Sequence, residues 1–246
     1  MTVGQNQASM TVIWHDLECG AYVEDLGMWH ELAVEHGDPV LDVGAGTGRI
    51  ALDLARRGHE VTALDRDPVL IAELERRAAG LDVATVVADA RRFELGRRFP
   101  LIIVPMQTIQ LLGGQRGRQQ FLIAAAGHLL PGGVLAVAIS EMLESFSLEE
   151  GIRPPTPDMR EIDGIVYSSQ PTAVREDSDG FVLERLRERI GTHGDRESEL
   201  DLIRLDRLTA SQFEREALAA KLKLLGRRVV PATDEYVGSV VVNLGG

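Results

Sequence analysis

Residues 40–49, VLDVGAGTGR, join a short apolar stretch to a glycine-rich turn. The first four of these residues are typical of a buried β-strand, and Pro39 can open such a strand without disturbing its hydrogen-bonded ladder. Residues 50–55 then repeat apolar side chains at helical spacing. Glycines between a strand and a helix let a ligand approach the backbone, where the first helical turn presents unpaired N–H groups. The stretch therefore predicts a nucleotide-type binding site at a strand-to-helix junction.

The spacing of the glycines narrows this prediction. Gly44, Gly46 and Gly48 follow the pattern G-x-G-x-G, one residue shorter than the dinucleotide-binding pattern G-x-G-x-x-G. Residues 60–64 predict a second strand, which is followed by Asp65, 21 positions after Gly44. An acidic residue at about 20 positions suits the hydroxyl groups of a ribose. The two strand ends therefore predict two loops that face one ligand.

With these motifs the chain resembles the class I S-adenosylmethionine-dependent methyltransferases, whose first motif is a strand, an acidic residue and G-x-G-x-G. Three later segments are similar to the third, fourth and fifth strands of that family and occur in the same order. They are residues 83–90, 99–107 and 129–137.

The resemblance implies an α/β fold with a doubly wound, Rossmann-like sheet of seven strands. The expected strand order is 3-2-1-4-5-7-6, with the last strand antiparallel, and a small β-rich insertion is expected after the fifth strand. The alternation of strand and helix patterns as far as Ile139 agrees with a mostly parallel sheet covered by helices on both faces. In such sheets, ligands bind at the carboxyl ends of the strands.

A length of 246 residues suits a single domain, in which we expect four segments. Residues 1–36 would form an amino-terminal lid, 37–140 the cofactor-binding core, 141–208 the β-rich insertion, and 209–246 the last helix and strand hairpin of the core. Within residues 181–208 the apolar pattern fits both strand and helix spacing. By resemblance to small-molecule methyltransferases with an insertion at this place, we predict strands that cover the acceptor site.

Two helix starts can be read from the sequence. Asp67 can cap free N–H groups, and Pro68 fits the first position of a helix. Thr209 begins a capping box of the S/T-x-x-Q kind. We predict that the helix after Thr209 continues to Leu225 with its leucines buried, and that Gly226 ends it.

Aromatic residues are concentrated near the amino terminus. Trp14, Tyr22 and Trp29 all lie in the first 30 residues, which indicates that this segment packs against the rest of the chain. In similar methyltransferases the segment is a lid. Trp14 and Tyr22 could then contact the cofactor or the acceptor, or they could only anchor the lid, which is the favoured role for Trp29.

The resemblance also assigns the cofactor, S-adenosylmethionine, with S-adenosylhomocysteine as its product. The glycine turn would bring its backbone to the cofactor, Asp65 would hold the ribose, and Asp89 and Ala90 would meet the adenine. Asp42 would act through a hydrogen-bond network beneath the turn. The expected cofactor-binding residues are Tyr22, Asp42, Gly44, Ala45, Gly46, Gly48, Asp65, Arg66, Asp89, Ala90, Pro105 and Gln107.

The implied reaction is in-line transfer of a methyl group to a nitrogen or oxygen of a small-molecule acceptor. Because the sulfonium is already activated, alignment of the acceptor matters more than a base. His15, Glu18 and Glu141 are candidate catalytic bases by location alone, as is Glu144.

Residues 105–108 read PMQT where nucleobase and glutamine methyltransferases often have Asn/Asp-Pro-Pro-Tyr. Protein or nucleic-acid methylation, or cofactor binding by a non-catalytic regulator, stays as the alternative.

Composition limits the partners. Lys and Arg number 26 against 38 Asp and Glu, a net charge of −12 without a basic stripe, which disfavours nucleic acid. No apolar run is long enough to span a membrane, and residues 1–10 lack the features of a signal peptide. One cysteine, Cys19, excludes an internal disulfide and gives no metal-site spacing. We expect a cytoplasmic monomer or homodimer without a bound metal.

Overall fold

The computed structural model describes the backbone of residues 3–9 and the whole of residues 10–141, 143–148, 155–233 and 236–246. The helices are α1 Val3–Cys19, α2 Leu26–His36, α3 Arg49–Arg56, α4 Pro68–Arg77, α5 Gly114–His128 and α6 Ala210–Ala219, with a 3₁₀ turn at Thr108–Leu111. The strands are β1 Val40–Val43, β2 Val61–Asp65, β3 Val83–Val87, β4 Phe99–Val104, β5 Leu129–Ile139, β6 Phe146–Ser147, β7 Asp158–Ile162, β8 Ile165–Glu176, β9 Gly180–Ile190, β10 Arg196–Asp206, β11 Lys223–Val230 and β12 Ser239–Gly245.

Seven strands form the main sheet in the order β11-β12-β5-β4-β1-β2-β3. Strands β1 to β5 pair in parallel, whereas β12 is antiparallel to both β5 and β11. Numbered among the strands of this sheet alone, the order is 3-2-1-4-5-7-6. The predicted fold class, including the antiparallel last strand, is confirmed.

Apolar side chains from successive strand residues cover both faces of this sheet. Val40 belongs to the cluster that packs with α2, α3 and α4, and Leu41 to the cluster that packs with α5 and α6. Trp29 of α2 and Phe121 of α5, one in each cluster, are fully buried. Because helices cover both faces of the sheet, a ligand can reach it only at the strand ends. The loops at the carboxyl ends are where ligands bind in sheets of this kind.

A second, antiparallel sheet contains the region in which the sequence allowed both strand and helix. Its order is β10-β9-β8-β6, with β7 paired to β8. β9 and β10 pair along their whole length, from Arg196 opposite Ile190 to Asp206 opposite Gly180. In the turn before β9, Asp177 Oδ1 accepts the N–H groups of Asp179 and Gly180, each at 2.9 Å. The predicted strands and β-rich insertion are confirmed.

The predicted caps are present, but the predicted length of the last helix is wrong. Thr209 Oγ1 accepts the Gln212 N–H at 3.1 Å, and Asp67 caps α4. Helix α6 ends at Ala219, and residues 223–230 form β11, so Gly226 lies inside a strand. Pairing with β12 outweighs the helical spacing of the leucines. Of these, Leu222 is buried while Leu218 and Leu225 are exposed.

A buried charge cluster joins the second sheet to the helices of the core. Arg118 of α5 donates through Nε and Nη2 to the carboxylate of Glu216 in α6, both at 2.8 Å. Its Nη1 donates to Asp206 Oδ2, at the end of β10, at 2.7 Å. Asp206 also accepts the Gly114 N–H at 2.7 Å. The side chain of Arg118 is only 2% exposed, so removing it leaves two carboxylates with little access to water.

No helix in the described ranges is both long enough and apolar enough to span a membrane.

We predict that Arg118→Met destabilises the protein by about 3–5 kcal/mol, because it leaves buried carboxylates without their counter-ion. Urea unfolding followed by circular dichroism measures the loss. Arg215→Met, at an exposed position of α6, is the matched control and should change the free energy of unfolding by less than about 0.5 kcal/mol. Equal unfolding midpoints for the two variants would contradict a structural role for the cluster.

Candidate functional site

The glycine turn lies at the carboxyl end of β1 and is hydrogen-bonded to the end of β2. Gly44, Gly46 and Gly48 have φ angles of 77°, 54° and 96°, which residues with a Cβ rarely adopt. The amides of Gly44 and Ala45 both donate to Leu64 O, at 2.8 and 3.0 Å. The turn thus has a fixed backbone at the edge where ligands bind in this fold.

Asp65 is oriented toward this turn by two backbone amides. Its Oδ2 accepts the Gly46 N–H and its Oδ1 accepts the Asp67 N–H, both at 2.9 Å. A carboxylate has about four acceptor positions, so each oxygen can accept a further hydrogen bond. The side chain is partly exposed. Asp65 therefore has the position and the acceptor capacity that the predicted ribose contact requires.

Asp42 is a buried carboxylate in β1, just before the glycine turn. Neither of its oxygens makes a hydrogen bond of normal geometry within the described residues. Burial raises the pKa of Asp42 to about 7, an effect that the Arg49 charge and the Ala51 amide reduce and the Asp65 charge increases. An unpaired buried carboxylate favours a positively charged ligand nearby. S-adenosylmethionine carries a sulfonium and an ammonium group, so this observation fits the expected cofactor.

Arg49, the first residue of α3, anchors the segment before α2. Its guanidinium pairs with both carboxylate oxygens of Asp25 at 2.5 and 2.8 Å and donates to Tyr22 O at 2.8 Å. Trp29 Nε1 donates to the same Asp25 at 2.8 Å. The Tyr22 ring is buried 5.0 Å from the ring of Tyr236. Trp29 thus anchors the segment, and Tyr22 lies between Arg49 at the start of α3 and Tyr236 in the loop after β11.

Helix α1 lies between the glycine turn and the second sheet. The imidazole of His15 contacts Gly46, on the side where any other residue would carry its Cβ. Burial lowers the pKa of His15. Trp14 points the other way, with its ring 5.5 Å from Tyr167 of β8. The structure thus places His15 at the predicted site and Trp14 against the second sheet.

The predicted residues at the end of β3 lie at the surface. Asp89 forms a two-point ion pair with Arg91, at 2.9 and 2.7 Å, and this guanidinium lowers the pKa of Asp89 to about 2. Ala90 is partly exposed and Arg66, after β2, is exposed. These side chains line the carboxyl edge on the β2 and β3 side of the glycine turn.

The loop after β4 borders the other side of the turn. Met106 has a φ of 54°, uncommon for a residue with a side chain. Gln107 Nε2 donates to Ser140 Oγ at 3.1 Å, and Gln110 exchanges hydrogen bonds with the backbone of Ser140 at 2.9 and 3.2 Å. The carboxyl ends of β4 and β5 are thereby joined, with Pro105 buried between them.

Two of the candidate bases have structural partners. Glu141 accepts the Ala210 N–H at the start of α6. Glu18 forms a two-point ion pair with Arg187 of β9, with both distances 2.7 Å. Glu144 is exposed. Of the histidine and carboxylate candidates, His15 is the one that the structure brings to the glycine turn. In the described part of the chain, no cluster of three His, Cys, Asp or Glu residues could hold a metal ion.

Several residues that shape this site were not predicted from the sequence. Thr47, Arg49, Thr108 and Ser140 contact or fix the loops described above. Thr47 and Arg49 lie beside the glycines in the sequence and could have been suspected on that ground. No sequence pattern relates Thr108 to Gly44, because the two meet only when β1 and β4 become neighbours in the sheet.

Comparison with known proteins agrees with the fold. Residues 40–133 match the family model of a methyltransferase domain. Together with the strand order and the glycine turn, this match confirms the predicted resemblance to the class I S-adenosylmethionine-dependent methyltransferases, with a methyltransferase domain over residues 40–133.

Curated relatives and solved structures extend the comparison. A probable cobalt-precorrin-6B C(15)-methyltransferase of Methanothermobacter thermautotrophicus is 32% identical over 47% of this chain and 59% of its own length. A dTDP-3-amino-3,6-dideoxy-α-D-glucopyranose N,N-dimethyltransferase of Streptomyces fradiae is 35% identical over 44% and 42%. The chain thus spans about half the length of these curated relatives.

An S-adenosylmethionine-bound amino pentose methyltransferase from Micromonospora echinaspora resembles the whole structure. The match has a TM-score of 0.67 and covers 99% of this chain and 98% of that protein, at 20% identity. At this identity the likeness concerns the fold.

We predict that the ionised form of Asp42 destabilises the folded protein. Its pKa of about 7 in the folded protein lies above the ordinary aspartate value of 3.8, so stability falls as the pH rises between these values and is constant above pH 7. Asp42→Asn removes this dependence. The free energy of unfolding of Asp42→Asn minus that of wild type should therefore increase by about 2–3 kcal/mol between pH 5 and pH 8.

Urea unfolding at the two pH values measures the difference for Asp42→Asn. Asp82→Asn, at an exposed position before β3, serves as the control. Its difference in unfolding free energy from wild type should not show this increase between pH 5 and pH 8. A pH-independent effect of Asp42→Asn would show that the Asp42 carboxylate is not perturbed.

Proposed function

We propose that the protein transfers a methyl group from S-adenosylmethionine to a nitrogen or oxygen of a small-molecule acceptor. The observation that carries this proposal is the glycine turn. Its backbone is held by Leu64 and Asp65, and it lies next to Asp42, a buried carboxylate without a hydrogen-bond partner of normal geometry in the described residues. The family and the S-adenosylmethionine-bound structure of the same fold support the choice of cofactor.

The residues of this chain would bind the cofactor through backbone and carboxylate groups. The glycine turn would contact the methionine end and Asp65 would accept hydrogen bonds from the ribose hydroxyls. When bound, the cofactor supplies an electrophilic methyl group on its sulfonium. The full set of residues that we propose around it is Tyr22, Asp42, Gly44, Ala45, Gly46, Gly48, Asp65, Arg66, Asp89, Ala90, Pro105 and Gln107.

Catalysis would come mainly from alignment and from exclusion of water. Holding two reactants in the productive geometry can supply about 7–11 kcal/mol. The second sheet would cover the carboxyl edge and keep water from the reacting groups. Because Glu18 and Glu141 are engaged in structural contacts, we assign neither of them as a base.

The acceptor that we propose is the amino group of a sugar or a related natural product. The names of two relatives, an amino-sugar N,N-dimethyltransferase and an amino pentose methyltransferase, support this class. An amine must be neutral to attack, so activity should increase with pH until the acceptor is deprotonated. We further propose a cytoplasmic protein, monomeric or homodimeric, that acts without nucleic acid.

We predict that wild-type protein binds S-adenosylhomocysteine in isothermal titration calorimetry and does not bind NAD. Asp65→Asn should weaken this binding by about tenfold to a hundredfold, because a hydrogen bond to a charged group is worth about 1.5–3 kcal/mol. Asp82→Asn is the control and should bind like wild type. Absence of binding to wild type would refute the cofactor, and equal binding by Asp65→Asn would remove Asp65 from the site.

We predict that an acceptor screen based on release of S-adenosylhomocysteine will find turnover with amino sugars or nucleotide-linked amino sugars. Matched sugars with a hydroxyl in place of the amine test whether the methylated atom is nitrogen. Turnover only with peptides or RNA would overturn the small-molecule acceptor. Binding of S-adenosylhomocysteine without turnover on any of these substrates would favour a cofactor-binding regulator.

A further inference from the structure

The open face of Gly46 is covered by a side chain of the protein itself. A residue with a Cβ at this position would collide with the imidazole of His15. Glycine is useful in such a turn because the missing side chain lets a ligand approach the backbone. His15 therefore occupies the space next to the part of the turn against which we propose that the cofactor packs.

Polar contacts on the core side hold His15 in this position. The neighbouring Asp16 pairs with Arg77 of α4, with Nη1 to Oδ1 at 3.0 Å and Nη2 to Oδ2 at 2.5 Å. Asp16 also accepts a hydrogen bond from Thr47 Oγ1 at 2.7 Å, and His15 Nδ1 lies 3.3 Å from the same hydroxyl. The Arg77 side chain is 27% exposed. The Asp16 side chain is 12% exposed, and both values are higher than those of the Glu18–Arg187 pair, 8% and 17%, so water replaces the Asp16–Arg77 contact more readily.

Contacts between α1 and the second sheet are apolar as well as ionic. Trp14, Leu17 and Tyr167 form a buried cluster. Glu18 pairs with Arg187 and accepts the hydroxyl of Ser169 at 2.8 Å. Both contacts of α1 include a two-point ion pair, but only the contact with the second sheet adds a buried apolar cluster, so it should be harder to break than the contact between Asp16 and Arg77.

We propose that His15 competes with the cofactor for the glycine turn, so that binding displaces α1 from the turn. In the displaced state the contacts of Asp16 with Arg77 and Thr47 are broken, whereas the contacts of α1 with the second sheet are kept. The proposal rests on the proposed function, because it takes S-adenosylmethionine as the ligand of the turn. It makes α1 a gate whose closed state lowers the apparent affinity for the cofactor.

Calorimetry with S-adenosylhomocysteine tests this gate. If His15 covers the turn in about 90% of molecules, its removal should lower the dissociation constant about tenfold. His15→Ala is therefore expected to bind more tightly than wild type. Arg77→Gln, which weakens the hold on α1 without touching Gly46, should also bind more tightly. Both substitutions should also speed association, followed by tryptophan fluorescence in a stopped-flow instrument.

The chain offers a matched control for each variant. His193→Ala lies in the exposed turn before β10, and Arg76→Gln changes the neighbour of Arg77 that points to solvent. Both should bind like wild type. Unchanged or weaker binding by His15→Ala and Arg77→Gln, with wild type still binding, would overturn the gate alone. Failure of wild type and every variant to bind would overturn the proposed cofactor and the gate together.

Discussion

The backbone of the glycine turn is fixed by the end of the neighbouring strand, and the site depends on this attachment. Leu64 O accepts the amides of Gly44 and Ala45, and Asp65 accepts the amide of Gly46. Three positive φ angles can persist there because the sheet holds both strands in register. The same contacts that satisfy the backbone of the turn therefore orient the carboxylate proposed to bind the ribose.

Electrostatics at this edge suit a positively charged ligand. Two arginines near the turn are paired with carboxylates, Arg49 with Asp25 and Arg77 with Asp16. Asp42 lacks such a pair, and burial raises its pKa to about 7. The net negative charge of the chain does not by itself locate a site for a positively charged ligand. The site is indicated by a carboxylate that has no paired cation among the described residues. A cation bound near Asp42 would favour its ionised form.

Helix α1 and the second sheet determine access to the turn. The ion pair of Glu18 with Arg187 links them, and Arg118 with Asp206 links the sheet to the core helices. These pairs have low exposure, so each strongly favours one arrangement of its two elements. The contact of Asp16 with Arg77 is more exposed than either. The most exposed of these three pairs therefore joins α1 to α4, beside the glycine turn.

The sequence by itself determined the glycine turn and the alternation of strands and helices, because these depend on short-range patterns: apolar strands, glycine spacing and capping residues. The strand order followed from the family resemblance that these motifs carry. It was wrong about the end of α6, where pairing between β11 and β12 overrides helical spacing. Only the tertiary structure showed that Glu141 caps α6, that Trp14 faces β8, and that His15 covers Gly46. These contacts join residues far apart in the chain, and no local pattern encodes which side chains meet once the sheets and helices have packed.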